Sequence, residues 1–443
     1  MHQYVSRLVD LLDPDVNQIH NMSVDSARQR VLDGSPEGVL DIDGSFAIVA
    51  VDGITVRMAR SLDRPMRYFL AKRQEGPALY VADRIDTLHA ALKTDGLADQ
   101  FHPSYTRMVP AHYVVEIQLV GCPDPDPVYT RFFTPQTDVL GTDLDDIGRR
   151  YIEATAVEVE KWLRRIEATS DPTKPIGVEF SGGIDSGAIF LVVYHTMLRL
   201  GLSPARLKAF VLNVGDGEDV AQARDFLGAL DLSIFLEEIS VRPDQLDPNE
   251  ALRVIEDYKT LDLECATMGL ALCHGIRARY PQWRFLIDGD GGDENLKDYP
   301  IEENPELTIR SVVNNLMLYH EGWGVGRIKH SLTYSGGLSR SYVRSYAPAR
   351  HYGFDAFSPF ARPAVVAVAE GIPFKTLTNY DVPRLYELKG EVVSRGIKAV
   401  TGFEMPVYPK RRFQHGTMPV DAMRARVSDD ERAWRRAFHA LYA

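Results

Sequence analysis

Cysteine is nearly missing from this chain: three residues among 443, Cys122, Cys265 and Cys273, with no C-x-x-C pair. So sparse a set excludes a disulfide scaffold and a thiolate zinc site, and fits a reducing compartment. Long apolar runs are missing too. No stretch approaches the roughly 18 residues needed to span a bilayer, and residues 1–10 lack the apolar core of a signal peptide. The expectation is a cytoplasmic protein with no membrane partner. Positive charge is in deficit, with 50 Lys plus Arg against 62 Asp plus Glu and a net charge of −12. Nucleic acid is therefore not an expected partner. The 12 histidines show neither H-x-x-x-H nor H-E-x-x-H spacing, which argues against a histidine metal site. Internal repeats and low-complexity tracts are absent.

What remains is ordinary globular material, 45% hydrophobic and 25% charged, sufficient for the cores of two or three domains. The first third reads as β-rich. Residues 38–51 alternate apolar and β-branched residues, and Asp52-Gly53 is a hairpin turn signal before Ile54-Thr55-Val56. Short strands are expected over 67–71, 78–81 and 113–119, with a small helix over 85–92. Residues 123–142, rich in Pro, Asp and Thr, read as a linker. A helix is expected over 145–168.

After Pro175 the periodicity changes. Strands are expected over 176–180, 207–212, 233–239 and 284–287, and helices over 187–200, 219–230 and 265–279. Strand–helix alternation with short links implies a parallel, doubly wound α/β sheet. Residues 305–443 read as mostly helical. The division expected is 1–140, an antiparallel β-rich sandwich, and 141–443, a doubly wound α/β domain with a helical C-terminal part.

Two loops carry the chemistry. Ser181-Gly182-Gly183-Ile184-Asp185-Ser186 lies between a strand and a helix. There, backbone N–H groups and a helix N-terminus face one crevice and form an anion site. An aspartate among phosphate donors makes sense if it holds Mg²⁺, whose hard oxygen coordination bridges carboxylate and phosphate. The second loop is Asp288-Gly289-Asp290-Gly291-Gly292-Asp293-Glu294, after the 284–287 strand. An EF-hand starting at Asp288 would need glycine sixth and glutamate twelfth. Asp293 and Tyr299 stand there, so that reading fails. Two glycine-rich loops at strand carboxyl ends are better read as two edges of one metal–nucleotide site.

The first loop resembles the pyrophosphate loop S-G-G-x-D-S of the N-type ATP pyrophosphatases, and lacks the Gly-Lys-Ser/Thr of a Walker A loop. The second resembles the G-E-G-S-D-E loop of asparagine synthetases and of the β-lactam and carbapenam synthetases. The resemblance implies adenylation of a substrate carboxylate, with ATP cleaved between its α- and β-phosphates, and attack by an amine or ammonia. It implies Ser181, Gly182, Gly183, Asp185 and Ser186 as the pyrophosphate cradle and Asp185 and Asp293 as Mg²⁺ ligands. Leu212 falls where the family contacts adenine, and Gly289 where backbone meets the nucleotide. Asp290 takes the position of the family's glutamate. The segment Pro409-Lys410-Arg411-Arg412-Phe413-Gln414-His415-Gly416 resembles the family's K-x-x-F-x-x-G. Lys410 would there stabilise charge developing on pyrophosphate, making Lys410 and Asp290 the candidate catalytic residues. His351–Phe360 resembles G-x-E-x-R-x-P-F, with Asp355 for the glutamate.

The first third resembles the family's glutamine amidotransferase (Ntn) domain at Asp43–Ala47, Arg60–Tyr68, Val81–Asp83 and Pro110–Tyr113. A glutaminase of this class needs an N-terminal cysteine, and Met1 is followed here by His2. An inactive domain is expected. Two substrate-side positions also depart: Glu264 stands where asparagine synthetases have a substrate-gripping arginine, and Ser341 replaces an acidic residue near Arg344, which matches a family arginine. Free aspartate is thus an unlikely acid. The expected protein is a Mg²⁺- and ATP-dependent, amide-forming ligase of natural-product type, acting on a small-molecule or peptide carboxylate and an amine. A homodimer or partner protein is compatible with this. Rivals are a lasso-peptide cyclase, a β-lactam-type synthetase and a catalytically silent binding protein.

Overall fold

The structure is a computed structural model that describes residues 7–120, 126–169, 171, 174–215, 217–299, 301–303, 307–321, 345–409 and 416–443. It is a mixed α/β protein that divides into two compact units. One holds the chain through Thr134 together with its last residues, Arg435–Ala443; the other holds Pro135–Leu318 and the described residues from 345 to Trp434.

The first unit is built from β1 (Arg7–Asp10), β2 (Gln18–Ile19), β3 (Gly44–Ser45), β4 (Ala47–Asp52), β5 (Thr55–Arg60), β6 (Arg67–Ala71), β7 (Ala78–Ala82), β8 (Arg107–Met108), β9 (Tyr113–Gln118) and β10 (Val128–Arg131). Two four-stranded sheets form, in the orders β1-β7-β6-β8 and β10-β9-β5-β4. The β4–β5 hairpin closes on Gly53, whose positive φ of 58° suits the tight turn, and pairs Asp52 with Thr55. Period-2 alternation sends Val49, Val56, Met58, Val115 and Ile117 of one sheet into a common core with Tyr68, Leu79 and Val81 of the other. The sandwich is thus as expected, with two differences. β1 pairs in parallel with β7, so the sheet is not wholly antiparallel. And Val128–Arg131, inside the expected linker, adds an edge strand to β9, because its β-branched and aromatic residues outweigh the prolines before it. The end of the chain is held here by aromatic contacts, with Tyr442 5.6 Å from His89 and 5.7 Å from Phe101.

The second unit is a five-stranded parallel sheet, order β13-β12-β11-β14-β15, from β11 (Ile176–Glu179), β12 (Leu207–Asn213), β13 (Leu236–Ser240), β14 (Phe285–Ile287) and β15 (Asp355–Phe357). Helices flank it. β13 begins three residues later than expected, after a 3₁₀ turn at Ser233–Phe235. The helix after β11 begins at Ile184 rather than 187, which places Asp185 and Ser186 in its first turn. β15 is not foreseen from sequence; three residues are too few for a period. β11 sends the chain to β12 on one side and abuts β14 on the other, so a topological switch point opens a crevice at their carboxyl ends.

Two helices fix that crevice from below, Leu144–Glu167 and Val382–Thr401. They cross at Gly148 and Gly396, where a Cβ added at Gly396 would fall 2.2 Å from the Gly148 carbonyl oxygen. Only glycine permits that approach. No helix among the described residues is long and apolar enough to cross a membrane.

Candidate active site

The strand β11 ends at Glu179, and Phe180 leads into the loop. Gly182 adopts a φ of +72°, and a Cβ there would lie 2.9 Å from the Ala223 backbone. Glycine is therefore required for conformation and for space. Ser186 Oγ accepts from Ser181 N–H at 3.2 Å, and the two hydroxyl oxygens lie 3.2 Å apart. The Gly183 N–H donates to Ser181 Oγ at 3.3 Å. Gly183 caps the Ile184–Arg199 helix, so the loop closes on itself and leaves the helix N-terminus facing the crevice. Ser181, Gly183, Asp185 and Ser186 are half-buried, open enough to meet a ligand.

The acidic loop is clamped against this one. A Cβ at Gly289 would stand 2.9 Å from the Asp185 carbonyl carbon, and one at Gly292 only 2.2 Å from Asp185 Oδ1. The loop is anchored from behind: Asn295 Nδ2 donates to Tyr151 Oη at 3.1 Å and to the Phe360 carbonyl at 3.0 Å. Ser358 Oγ donates to Asp288 Oδ2 at 2.9 Å. The Ser358–Phe360 segment, singled out by resemblance, thus buttresses the loop. Asp355 of that segment does not reach the site: it opens β15, at the opposite end from the loops, and binds Arg165 with both oxygens at 3.0 Å.

Asp185 and Asp293 converge on a residue the sequence did not single out. Lys389 Nζ lies 2.6 Å from Asp185 Oδ2, donates to Asp293 Oδ1, and lies 3.5 Å from Asp298 Oδ2. The lysine is 3% exposed while the Asp185 and Asp293 side chains are 22% and 26% exposed. Burial works against its charge, but the carboxylates of Asp185, Asp293 and Asp298 outweigh burial and hold its proton well above the usual lysine range. The signal was present: Lys389 interrupts the buried stripe Leu385, Val392, Val393, Gly396 of its helix.

A second group of carboxylates sits at the ends of β11 and β14. Asp290, half-buried, accepts from Ser345 Oγ at 2.9 Å. Its N–H donates to Asp288 Oδ1 at 2.9 Å. Burial, then the neighbouring Asp290 carboxylate, raises the pKa of Glu179, while Ser345 and the Cys273 thiol favour its charged form. Burial, then the carboxylates of Asp290 and Glu179, raise Asp288 well above the ordinary range. Glu179 and Ser345 join the functional candidates; an acid ending an apolar strand was the available clue. Cys265 and Cys273 form no disulfide and are buried.

The remaining sequence candidates fall in three ways. Leu212 lies at the end of β12 with its side chain 1% exposed, so a ligand there would meet backbone. Glu264 is buried in the Thr260–Arg279 helix. Lys410, Ser341 and Arg344, with Met1, His2 and Cys122, lie outside the described residues.

The donor set fits Mg²⁺. Two exposed-edge carboxylates of hard oxygen, held by glycines, are what this ion takes when phosphates and water complete its shell. Among the described residues no group of three or more His, Cys, Asp or Glu is gathered so that it could hold a metal ion by itself.

Fold and loops together define an α/β protein with two glycine-rich loops meeting at the carboxyl ends of a parallel sheet. Residues 167–376 match the family described as asparagine synthase, whose members are ligase-type, amide-forming enzymes that use ATP, typically with Mg²⁺. The match covers both loops and ends before Lys389. No curated protein matched the chain.

Proposed function

We propose that the protein adenylates a substrate carboxylate with ATP, releasing pyrophosphate, and passes the acyl group to an amine. The observation that carries this reading is the convergence of Asp185, from the phosphate loop, and Asp293, from the acidic loop, on Lys389. Loop N–H groups and the Ile184–Arg199 helix N-terminus would bind the phosphates. Asp185 and Asp293 would hold Mg²⁺, which when bound offsets phosphate charge as the carboxylate oxygen attacks the α-phosphorus. Lys389 adds fixed positive charge beside the leaving pyrophosphate. The attacking amine loses a proton on forming the amide, and Glu179 and Asp290, carboxylates on the same crevice, are placed to receive it. Lys410, outside the described residues, would add to the stabilisation of charge developing on pyrophosphate.

The partners in this reading are a small-molecule or peptide acid and an amine, with no nucleic acid and no membrane, in a cytoplasmic setting. Exchange of labelled pyrophosphate into ATP, screened over carboxylic acids and precursor-type peptides, tests the reading. Exchange dependent on one class of acid is the expected result; ADP formation would contradict it.

A further inference from the structure

The position of Lys389 has a consequence for how the metal arrives. Its ammonium occupies the space between the two carboxylates that would hold the ion, contacting both and reaching a third, Asp298, at 3.5 Å. The lysine does not sit on a pliable loop. It projects from the middle of the Val382–Thr401 helix, which is locked to the Leu144–Glu167 helix at the Gly148–Gly396 contact. A charge so placed is close enough to a cation bound to Asp185 and Asp293 to repel it strongly in a half-buried setting. The same charge attracts phosphate oxygens. The site therefore disfavours a bare divalent ion and favours one that carries phosphates with it.

We propose that Lys389 is the resident counter-cation of this site: it holds Asp185 and Asp293 together without metal, keeps a free divalent ion out, and turns to the phosphates when metal and nucleotide enter together. This account rests on the metal–nucleotide reading above. It adds an order of binding that the reading alone does not require. A site with two carboxylate ligands already depends on phosphate and water for its shell; the lysine makes that dependence strict.

The test is Mn²⁺ binding by the full chain, followed by the electron paramagnetic resonance of free Mn²⁺, with no activity needed. Wild type should bind Mn²⁺ alone at least tenfold more weakly than Mn²⁺ with the non-cleavable analogue α,β-methylene-ATP. Lys389→Met should bind Mn²⁺ alone at least tenfold more tightly than wild type, and adding Asp293→Asn should remove that gain. Lys389→Arg, which keeps the charge, should stay weak. Folded Lys389→Met with unchanged or weaker Mn²⁺ binding would overturn the proposal. Should that variant not fold, the wild-type comparison decides: Mn²⁺ affinity indifferent to the analogue would overturn it equally. If the analogue itself does not bind, the nucleotide reading fails. Analogue binding with no Lys389 effect sinks only this inference.

Discussion

Each unit buries a cation, and the partners differ. In the first, Arg60 is 2% exposed, and its guanidinium donates to the carbonyls of Val109 at 2.5 Å and Arg64 at 2.9 Å. Those acceptors are backbone, fixed in place, and the arginine ties β5 to the loops around it. In the second, Lys389 is equally buried but its acceptors are carboxylates that also face the crevice. Backbone carbonyls have no other partner to take. Carboxylates can exchange an ammonium for a metal. A buried cation among carbonyls is therefore a structural tie, and one among half-exposed carboxylates marks a site.

Breaking the tie should give the largest effect. Arg60→Met deprives several buried carbonyls of their donor at about 1–3 kcal/mol each. A stability loss of about 3–5 kcal/mol is expected in urea unfolding, while nucleotide binding by the folded fraction is unchanged. Loss of nucleotide binding at equal folded fraction would show that the first unit does more than hold shape. Asp185→Asn should behave the opposite way. It should weaken binding of the Mn²⁺–analogue complex roughly 100-fold, near 3 kcal/mol, with a smaller change in unfolding midpoint than Arg60→Met; calorimetric titration reads the first and urea the second. Gly148→Ala sharpens the comparison, because it leaves every charged group in place and forces apart the helices that seat Lys389. Overpacking of this kind costs about 1–3 kcal/mol, and nucleotide affinity should fall with it. Unchanged affinity would mean that the helix crossing does not position the lysine.

The smallest effect is a pH dependence. Burial and Asp290 push the Glu179 pKa up to about 8. The folded state then holds a proton that the unfolded chain releases in the ordinary glutamate range, so this contribution is complete below that range and is lost as pH rises through about 8. Glu179→Gln should flatten stability against pH between about 4.5 and 8 and leave the variant relatively more stable at the alkaline end. Melting curves across that span check it; parallel curves for variant and wild type would refute the coupling with Asp290.

Much of this was legible in the sequence for a physical reason. Parallel strands such as 207–213 are buried on both faces and read as apolar runs, and glycines of the two loops are required by close contacts with the Ala223 backbone and with Asp185. The sandwich followed from alternation and the Asp52-Gly53 turn. What was not legible depends on tertiary contacts. β15 is too short to show a period. Val128–Arg131 becomes a strand only because β9 offers an edge. Lys389 lies 204 residues from Asp185, and no local spacing joins them; an interrupted apolar stripe was the only trace.

The central claim is that the loops around Lys389 cleave ATP between its α- and β-phosphates. Phosphorus NMR of MgATP incubated with the protein and an acid that supports turnover tests it most directly. AMP and pyrophosphate in equal amounts, with both lost in Asp185→Asn, are the predicted products. ADP and orthophosphate, or turnover untouched by Asp185→Asn, would contradict the account.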